Sequence, residues 1–397
     1  MRSVQPARIK QLRLSLGITQ AAFADLIGRT SGTVSKWESG FQAPDSDAAR
    51  RLCDVFDISE NWLLEAPFTA ERSTPFFFRS QSNTTNSARD IAGVRLEWLQ
   101  EVVYKLQESL EFPPVNVPHL AEINCELISD QEIEQIASDC RQAWGLGFAP
   151  IPDVVQVMEN VGIVCARTSL GYLKVEGVSN WHELDQRPYV LLVDDKANGI
   201  RSRFDAAHEL GHIVLHRYVT QEHYKTRHAL LEAQAHRFAS AFLLPAERFS
   251  REVRWPTPDT LLELKPRWKV SVAAMITRCQ ELAMINDTTA TRLWCARAAR
   301  GWAKGEPMEA DFEFERPKVV GRGVKMLVEN KVLSRLQVRR LLGLPVGVLE
   351  RLCHLEEGYF DSLDKPQVVE LLLRQKARPK RATGGVSANI LGFHGRG

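Results

Sequence analysis

The spacing of apolar residues changes several times along the chain, and each spacing predicts an element type. Residues 7–65 read as a run of short helices, with Gly17, Gly28, Gly40 and Pro44 at their ends. Thr19 is placed to cap a helix that starts at Gln20 and buries Ala24, Leu26 and Ile27. Gly28 ends that helix, and Thr30 caps the next, Ser31–Glu38, where Val34 and Trp37 fall three apart and face inward. Residues 66–88 read as a linker whose apolar patch, Phe76–Phe78, must dock on something. Helical periodicity returns over 89–111 and stops at "FPPVNVP".

Beyond the break, 130–144 and 152–160 have amphipathic helical spacing. "VGIVCAR" (161–167), "GYLKVEGVSNW" (171–181) and "YVLLVDD" (189–195) read as strands. Helices are expected at 201–217, near 229–243, and at 264–285 and 289–302, with a smaller helical group over 318–373. The sum is a multidomain chain, mainly α with a small β-sheet. An all-α domain spans 1–65, a linker and helical connector 66–125, an α+β domain 126–302, a helical domain 303–373 that is a candidate sensor, and a basic flexible tail 374–397.

Composition narrows the function classes. The net charge of +2 over 397 residues gives no global electrostatic argument for nucleic acid or membrane. No apolar run approaches membrane-spanning length. Met1–Ala7 is short and polar, with no pattern of an amino-terminal signal. The seven cysteines are scattered without a CxxC pair, which points to buried thiols in a reducing cytoplasm and away from a cysteine-based zinc site. The tail from 374 holds six basic and no acidic residues, most simply a solvated stretch.

The chemistry concentrates in "AAHELGHIVLH", residues 206–216. His208 and His212, four apart on a helix, share a face and can turn both imidazoles to one ion. Glu209 lies beside that face, where its carboxylate can act on a water at the metal. This is the HExxH arrangement of zinc peptidases. A catalytic zinc takes a third protein ligand. His216 continues the series, but it sits about 12 Å of helix rise from His208, too far for one ion; it reads as a histidine at a helix C-terminus. A second helix, "LLEAQAHRFASAFLLP" (230–245), offers Glu232 in an apolar stretch and His236 one turn later. Glu232 is the expected third ligand, and His236 shares its face of the helix. Tyr218, His223 and His228 lie between the two helices as candidates to stabilise an oxyanion. A peptide substrate is expected to add as a strand, along 171–181.

These paired motifs resemble the ImmA/IrrE metallopeptidases, whose pattern is HExxH, then ExxxN or ExxxD, then FAxxLLMP. The resemblance spans roughly 130–300 and implies a gluzincin-like domain with His208, His212 and Glu232 on zinc and Glu209 as base. His236 departs from the family, standing where an Asn or Asp that orients a ligand histidine is usual, so the resemblance implies an orienting partner or an alternative ligand there. Separately, residues 7–65 resemble the XRE, or Cro/CI-type, helix-turn-helix. That implies a DNA-binding domain with Ser31–Glu38 in a major groove. Gln20, Ser31, Gly32, Thr33, Ser35 and Lys36 are its candidate contacts, although Ser31 and Gly32 are short for reading bases. Residues 1–65 hold eight basic and eight acidic residues, so binding has to be helped by dimerisation.

Together the resemblances imply a cytoplasmic zinc endopeptidase, possessing a helix-turn-helix domain, that cleaves a transcriptional repressor to induce phage, mobile-element, stress or anti-phage genes. Its expected partners are a protein substrate that is itself a helix-turn-helix repressor, operator DNA and a second copy of the chain, with no membrane. The alternative is a helix-turn-helix regulator whose peptidase-like domain serves as sensor or dimerisation module.

Overall fold

A computed structural model describes residues 3–68, 74–80, 86–118, 127–171, 175–196 and 198–361. The basic tail from 374 and the short segment 172–174 of the expected second strand lie outside the described residues.

Five helices open the chain: α1 (Pro6–Ser15), α2 (Gln20–Ile27), α3 (Ser31–Glu38), α4 (Ser46–Phe56) and α5 (Glu60–Leu64). Local chemistry sets their ends. The Thr19 and Thr30 hydroxyls accept from the backbone N–H groups of Ala22 and Thr33, as N-caps do. Gly28 ends α2 in the left-handed region, φ 65°, which glycine enters at no steric cost. Val34 and Trp37 are buried as expected, but Leu26 is 49% exposed. The buried stripe of α2 is Phe23, Ala24 and Ile27. Leu26 falls about a third of a turn off that stripe, and Phe23 takes the core position, stacking on Phe56 at 5.2 Å.

The stretch expected as linker and connector is woven into the sheet. It supplies strand β1 (Phe77–Ser80) and the helix α6 (Asn86–Leu106). Next come α7 (Asp130–Ala143), α8 (Val154–Asn160), β2 (Val164–Thr168), β3 (Val175–His182), β4 (Arg187–Val193), α9 (Gly199–Leu215) and α10 (Gln221–Leu243). The sheet order is β1-β3-β4-β2, with β2 parallel to β4 and the other pairings antiparallel. Its centre is buried on both faces. Tyr189, Leu191 and Val193 of β4 join the core that includes α6, while Val190 and Leu192 join the core under α9. That explains why "YVLLV" reads as a continuous apolar run rather than an alternation.

The rest of the described chain is helical: α11 (Ala246–Glu252), α12 (Pro258–Trp268), α13 (Val272–Glu281), α14 (Asp287–Ala299), α15 (Val319–Glu329), α16 (Arg335–Leu342) and α17 (Val346–Leu352). The single helix expected over 264–285 is two. Lys269 adopts a left-handed conformation that ends α12, and Ser271 caps α13 anew. The helix expected near 229–243 begins earlier, at Gln221, with a break in helical geometry at Arg227. Among the described residues no helix is long and apolar enough to cross a membrane.

The amino-terminal helices are fastened to α6. The Arg8 guanidinium makes paired bonds of 2.7 and 2.9 Å to the Glu101 carboxylate, both side chains buried, and lies over Trp62 at 4.3 Å. Gln11 donates to Glu97 at 2.8 Å. The face of α3 away from this junction, with Ser31, Gly32, Ser35 and Lys36, is exposed.

Candidate functional site

The site is built where α9 and α10 cross. Gly211 makes the close approach possible: a Cβ there would lie 3.0 Å from the Ala235 carbonyl oxygen. One turn of α9 then aims His208 and His212 at Glu232 of α10. His208 Nε2 and His212 Nε2 are 3.1 Å apart, and they lie 3.3 and 3.2 Å from the two Glu232 oxygens. A tetrahedral ion with bonds of about 2.0–2.1 Å holds its donors about 3.3–3.4 Å apart. The two imidazole nitrogens and the Glu232 oxygens, one against each ring, are therefore spaced as the donors of a zinc-sized ion are, with a fourth position left for water or substrate. His208, His212 and Glu232 form the group capable of holding a metal among the described residues.

Electrostatics agree with that use. Burial, with Arg79 nearby, holds His208 well below the usual histidine range. Neutral imidazole is the form that ligates metal. Glu232 is kept well below the carboxylate range despite its burial, by the two imidazoles that face its oxygens. Glu209 is fully buried; one oxygen accepts from the Ser179 hydroxyl at 2.6 Å and the other has no partner among the described residues. Burial pushes its carboxyl well above the ordinary range, against the Ser179 bond. A carboxylate so placed has raised proton affinity, as a general base needs.

His216 is the C-cap of α9 and not part of the triangle. It has a role that spacing did not reveal: its Nδ1 lies 2.9 Å from His212 Nδ1, and its Nε2 lies 3.0 Å from Gln234 Oε1. His236, expected to orient a ligand, packs on Phe204 at 4.8 Å instead, with its ring 6.5 Å from that of His208. His208 Nδ1 has no hydrogen-bond partner among the described residues, so His236 does not hold it. The half-buried imidazole is lowered to about 4 by burial and by Arg79.

Of the oxyanion candidates, Tyr218 and His223 are exposed. His228 comes nearest, with Nε2 3.9 Å from Glu232 Oε1. Tyr224, which the sequence reading passed over, stands edge-on to Phe77 at 5.5 Å and 5.2 Å from His228. The expected peptide edge is not free. Along 177–179 the outer side of β3 is paired with β1, so strand addition there meets a strand already in place. The cause is long-range pairing of Phe77–Ser80, which periodicity within 66–88 does not encode.

In the amino-terminal domain, Gln20 donates to Glu38 at 2.8 Å, and Glu38 also takes the Arg13 guanidinium. Thr33 shares a 2.9 Å hydrogen bond with Thr30. Ser31, Gly32, Ser35 and Lys36 face solvent, and nothing lies within 4 Å of a Cβ built on Gly32.

Comparison with known families matches this division of labour. Residues 158–280 match the IrrE N-terminal-like domain of the M78 peptidases, and residues 9–63 match the helix-turn-helix family. One chain thus carries a helix-turn-helix DNA-binding domain and an IrrE/ImmA-like metallopeptidase domain. No curated protein shows a significant match to the chain.

Proposed function

We propose that this chain, joining a helix-turn-helix domain to a metallopeptidase domain, is a zinc-dependent regulatory endopeptidase that cleaves a helix-turn-helix repressor. It acts in the compartment that holds its operator, as a dimer on DNA. The observation that carries the reading is the donor triangle of His208, His212 and Glu232, with Glu209 one residue from a ligand and in contact with the strand β3. Zinc bound there would polarise a peptide carbonyl and lower the pKa of water to about 7. Glu209 is placed to take the proton from that water and return it to the departing amine. His228, beside Glu232, is the candidate for facing the developing oxyanion. The helix-turn-helix domain raises the local concentration of the peptidase at a promoter where a repressor sits.

The test has two parts. Elemental analysis should find about one zinc per chain, lost in Glu232→Ala; retention there, with loss in Gln234→Ala or His236→Ala, refutes the ligand set. Glu209→Gln should keep zinc and fold but cleave its repressor substrate, sought first among helix-turn-helix proteins of neighbouring genes, about 10²–10⁴-fold more slowly. Turnover within tenfold of wild type refutes the mechanism. One observation favours a second reading, a regulator whose peptidase-like domain is a sensor: His208, Glu209 and His212 are each no more than 1% exposed. Bound zinc without any proteolysis that depends on Glu209 would select it.

A further inference from the structure

What closes the site is the chain itself. β1 runs antiparallel along β3, setting Phe77 opposite Ser179, Phe78 opposite Val178 and Arg79 opposite Gly177. Ser179 and Gly177 are the positions of β3 that meet Glu209: the Ser179 hydroxyl donates to it, and a Cβ on Gly177 would come within 2.8 Å of its Oε1. β1 is therefore laid across the stretch of edge that leads to the general base.

Side chains two apart on a strand share a face, and the two faces of β1 have different surroundings. Phe76 and Phe78 pack toward α6, where a Cβ on Gly93 would touch both rings. Phe77 and Arg79 point to the metal site. Phe77 stacks on His212 at 4.7 Å, nearly parallel, in a small apolar pocket with Val219, Leu231 and Tyr224. Arg79 is ion-paired to buried Asp205 and lies 3.3 Å from Glu176, a carboxylate that Lys196 and Arg201 also reach. On the outer side, the Tyr224 ring of α10 stands against Phe77. An extended segment thus lies between a sheet edge and the helix that carries Glu232, with its main chain bonded and alternate side chains in two chemically distinct pockets. That is how a peptide is bound by strand addition.

A substrate carbonyl has to reach the donor triangle and Glu209, and an extended substrate needs the hydrogen bonds of β3 that β1 now takes. The two occupants exclude one another. We infer that residues 74–80 fill the peptide-binding cleft as an internal stand-in for substrate, and that the segments this site accepts carry an aromatic residue two positions before an arginine or lysine. The inference rests on the peptidase reading above. The pockets set the specificity. Aromatic area is favoured against His212 and Leu231, and a cation is favoured because Asp205 is buried and ionises best beside one. The resting chain is consequently held inactive until β1 leaves the edge.

The experiment uses the full-length, zinc-loaded chain with Glu209→Gln, so that nothing is cleaved. A fluorescein-labelled peptide of the sequence of residues 74–80, TPFFFRS, is titrated by anisotropy. The chain with Phe77→Ala and Arg79→Ala should bind it at least about tenfold more tightly than the chain with β1 intact, by removal of the internal competitor. A peptide with alanine at both positions should lose that gain. Equal binding of the two peptides, or no binding to the opened chain with zinc and helicity retained, overturns the inference. A second variant decides the matter if the opened chain does not fold. Phe78→Cys with Val178→Cys, directly opposite across the strand pair, should form a disulfide that locks β1. In this variant, made with Glu209 intact, oxidation should abolish repressor cleavage and reduction restore it; oxidised activity within twofold of reduced overturns the inference. Absence of zinc, or proteolysis indifferent to Glu209→Gln, strikes the peptidase reading instead, and the anisotropy still reports whether β1 competes for the cleft.

Discussion

The pair His216 and Gln234 should govern how tightly the metal is held, although neither belongs to the donor triangle. Gln234 Oε1 can only accept, so His216 Nε2 carries the proton in their 3.0 Å bond. His216 Nδ1 is then an acceptor, and the His212 Nδ1–H donates to it across 2.9 Å. His212 is left with its Nε2 lone pair free, aimed at the triangle. Burial holds His216 down to about 3, so its imidazole stays neutral at physiological pH. Partners that orient a metal-binding histidine are worth about 10–100-fold in metal affinity, or about 1.4–2.8 kcal/mol at about 1.4 kcal/mol per tenfold. His216→Phe keeps ring volume but removes the acceptor, and zinc affinity should fall by that full range. Gln234→Leu leaves a buried N–H without a partner, a loss of about 1–3 kcal/mol shared between stability and site order; about tenfold in affinity is expected. Gln234→Glu keeps an acceptor in place and should stay within about threefold. Competition against a chromophoric zinc chelator near neutral pH measures all three, with circular dichroism to confirm folding. A His216→Phe chain that folds and binds zinc within twofold of wild type would refute the relay.

Three other outcomes follow from the same structure. Arg8→Ala strands the buried Glu101 carboxylate, leaving it Lys105 at 3.3 Å among the described residues, so stability should drop by about 3–5 kcal/mol; denaturant unfolding measures this, and adding Glu101→Gln should recover part of it. Gly32→Glu places a carboxylate on the exposed face of α3 where nothing obstructs it, so footprinting of the gene's own promoter should show protection lost while zinc content and proteolysis are unchanged; wild type should protect half-sites about 34 Å apart, and no footprint at any promoter it regulates would favour a protein-contact role for the domain. Chelation of the metal should lower the melting temperature by several degrees, since a ligand at about a hundred times its Kd contributes about 2.7 kcal/mol to the folded state; a melting curve insensitive to chelator would argue against a bound ion.

By itself the sequence determined whatever depends on neighbours along one helix or strand. Four-residue spacing on a helix was enough to put His208 and His212 on one face, and hydroxyls at Thr19 and Thr30 were enough to start two helices. The strands β2 and β4 were legible because short apolar runs are local features. Leu26 was misplaced because a stripe of a two-turn helix is defined by what packs on it, and Phe56 of α4 chose Phe23. The tertiary structure alone decided the rest. Glu232 was a candidate by composition, but only the crossing of α9 and α10 sets its oxygens 3.2–3.3 Å from both imidazoles. The bond from His216 to Gln234 joins two helices, and the same crossing turned His236 onto Phe204. The strand β1 is the clearest case. "FFRS" is ambiguous by periodicity, and its partners are remote: Arg79 and Asp205 stand 126 residues apart. Local spacing records which face a side chain shares with its near neighbours, whereas pairing between distant segments is chosen by what the assembled core leaves unburied and unbonded, and no window along the chain contains that choice.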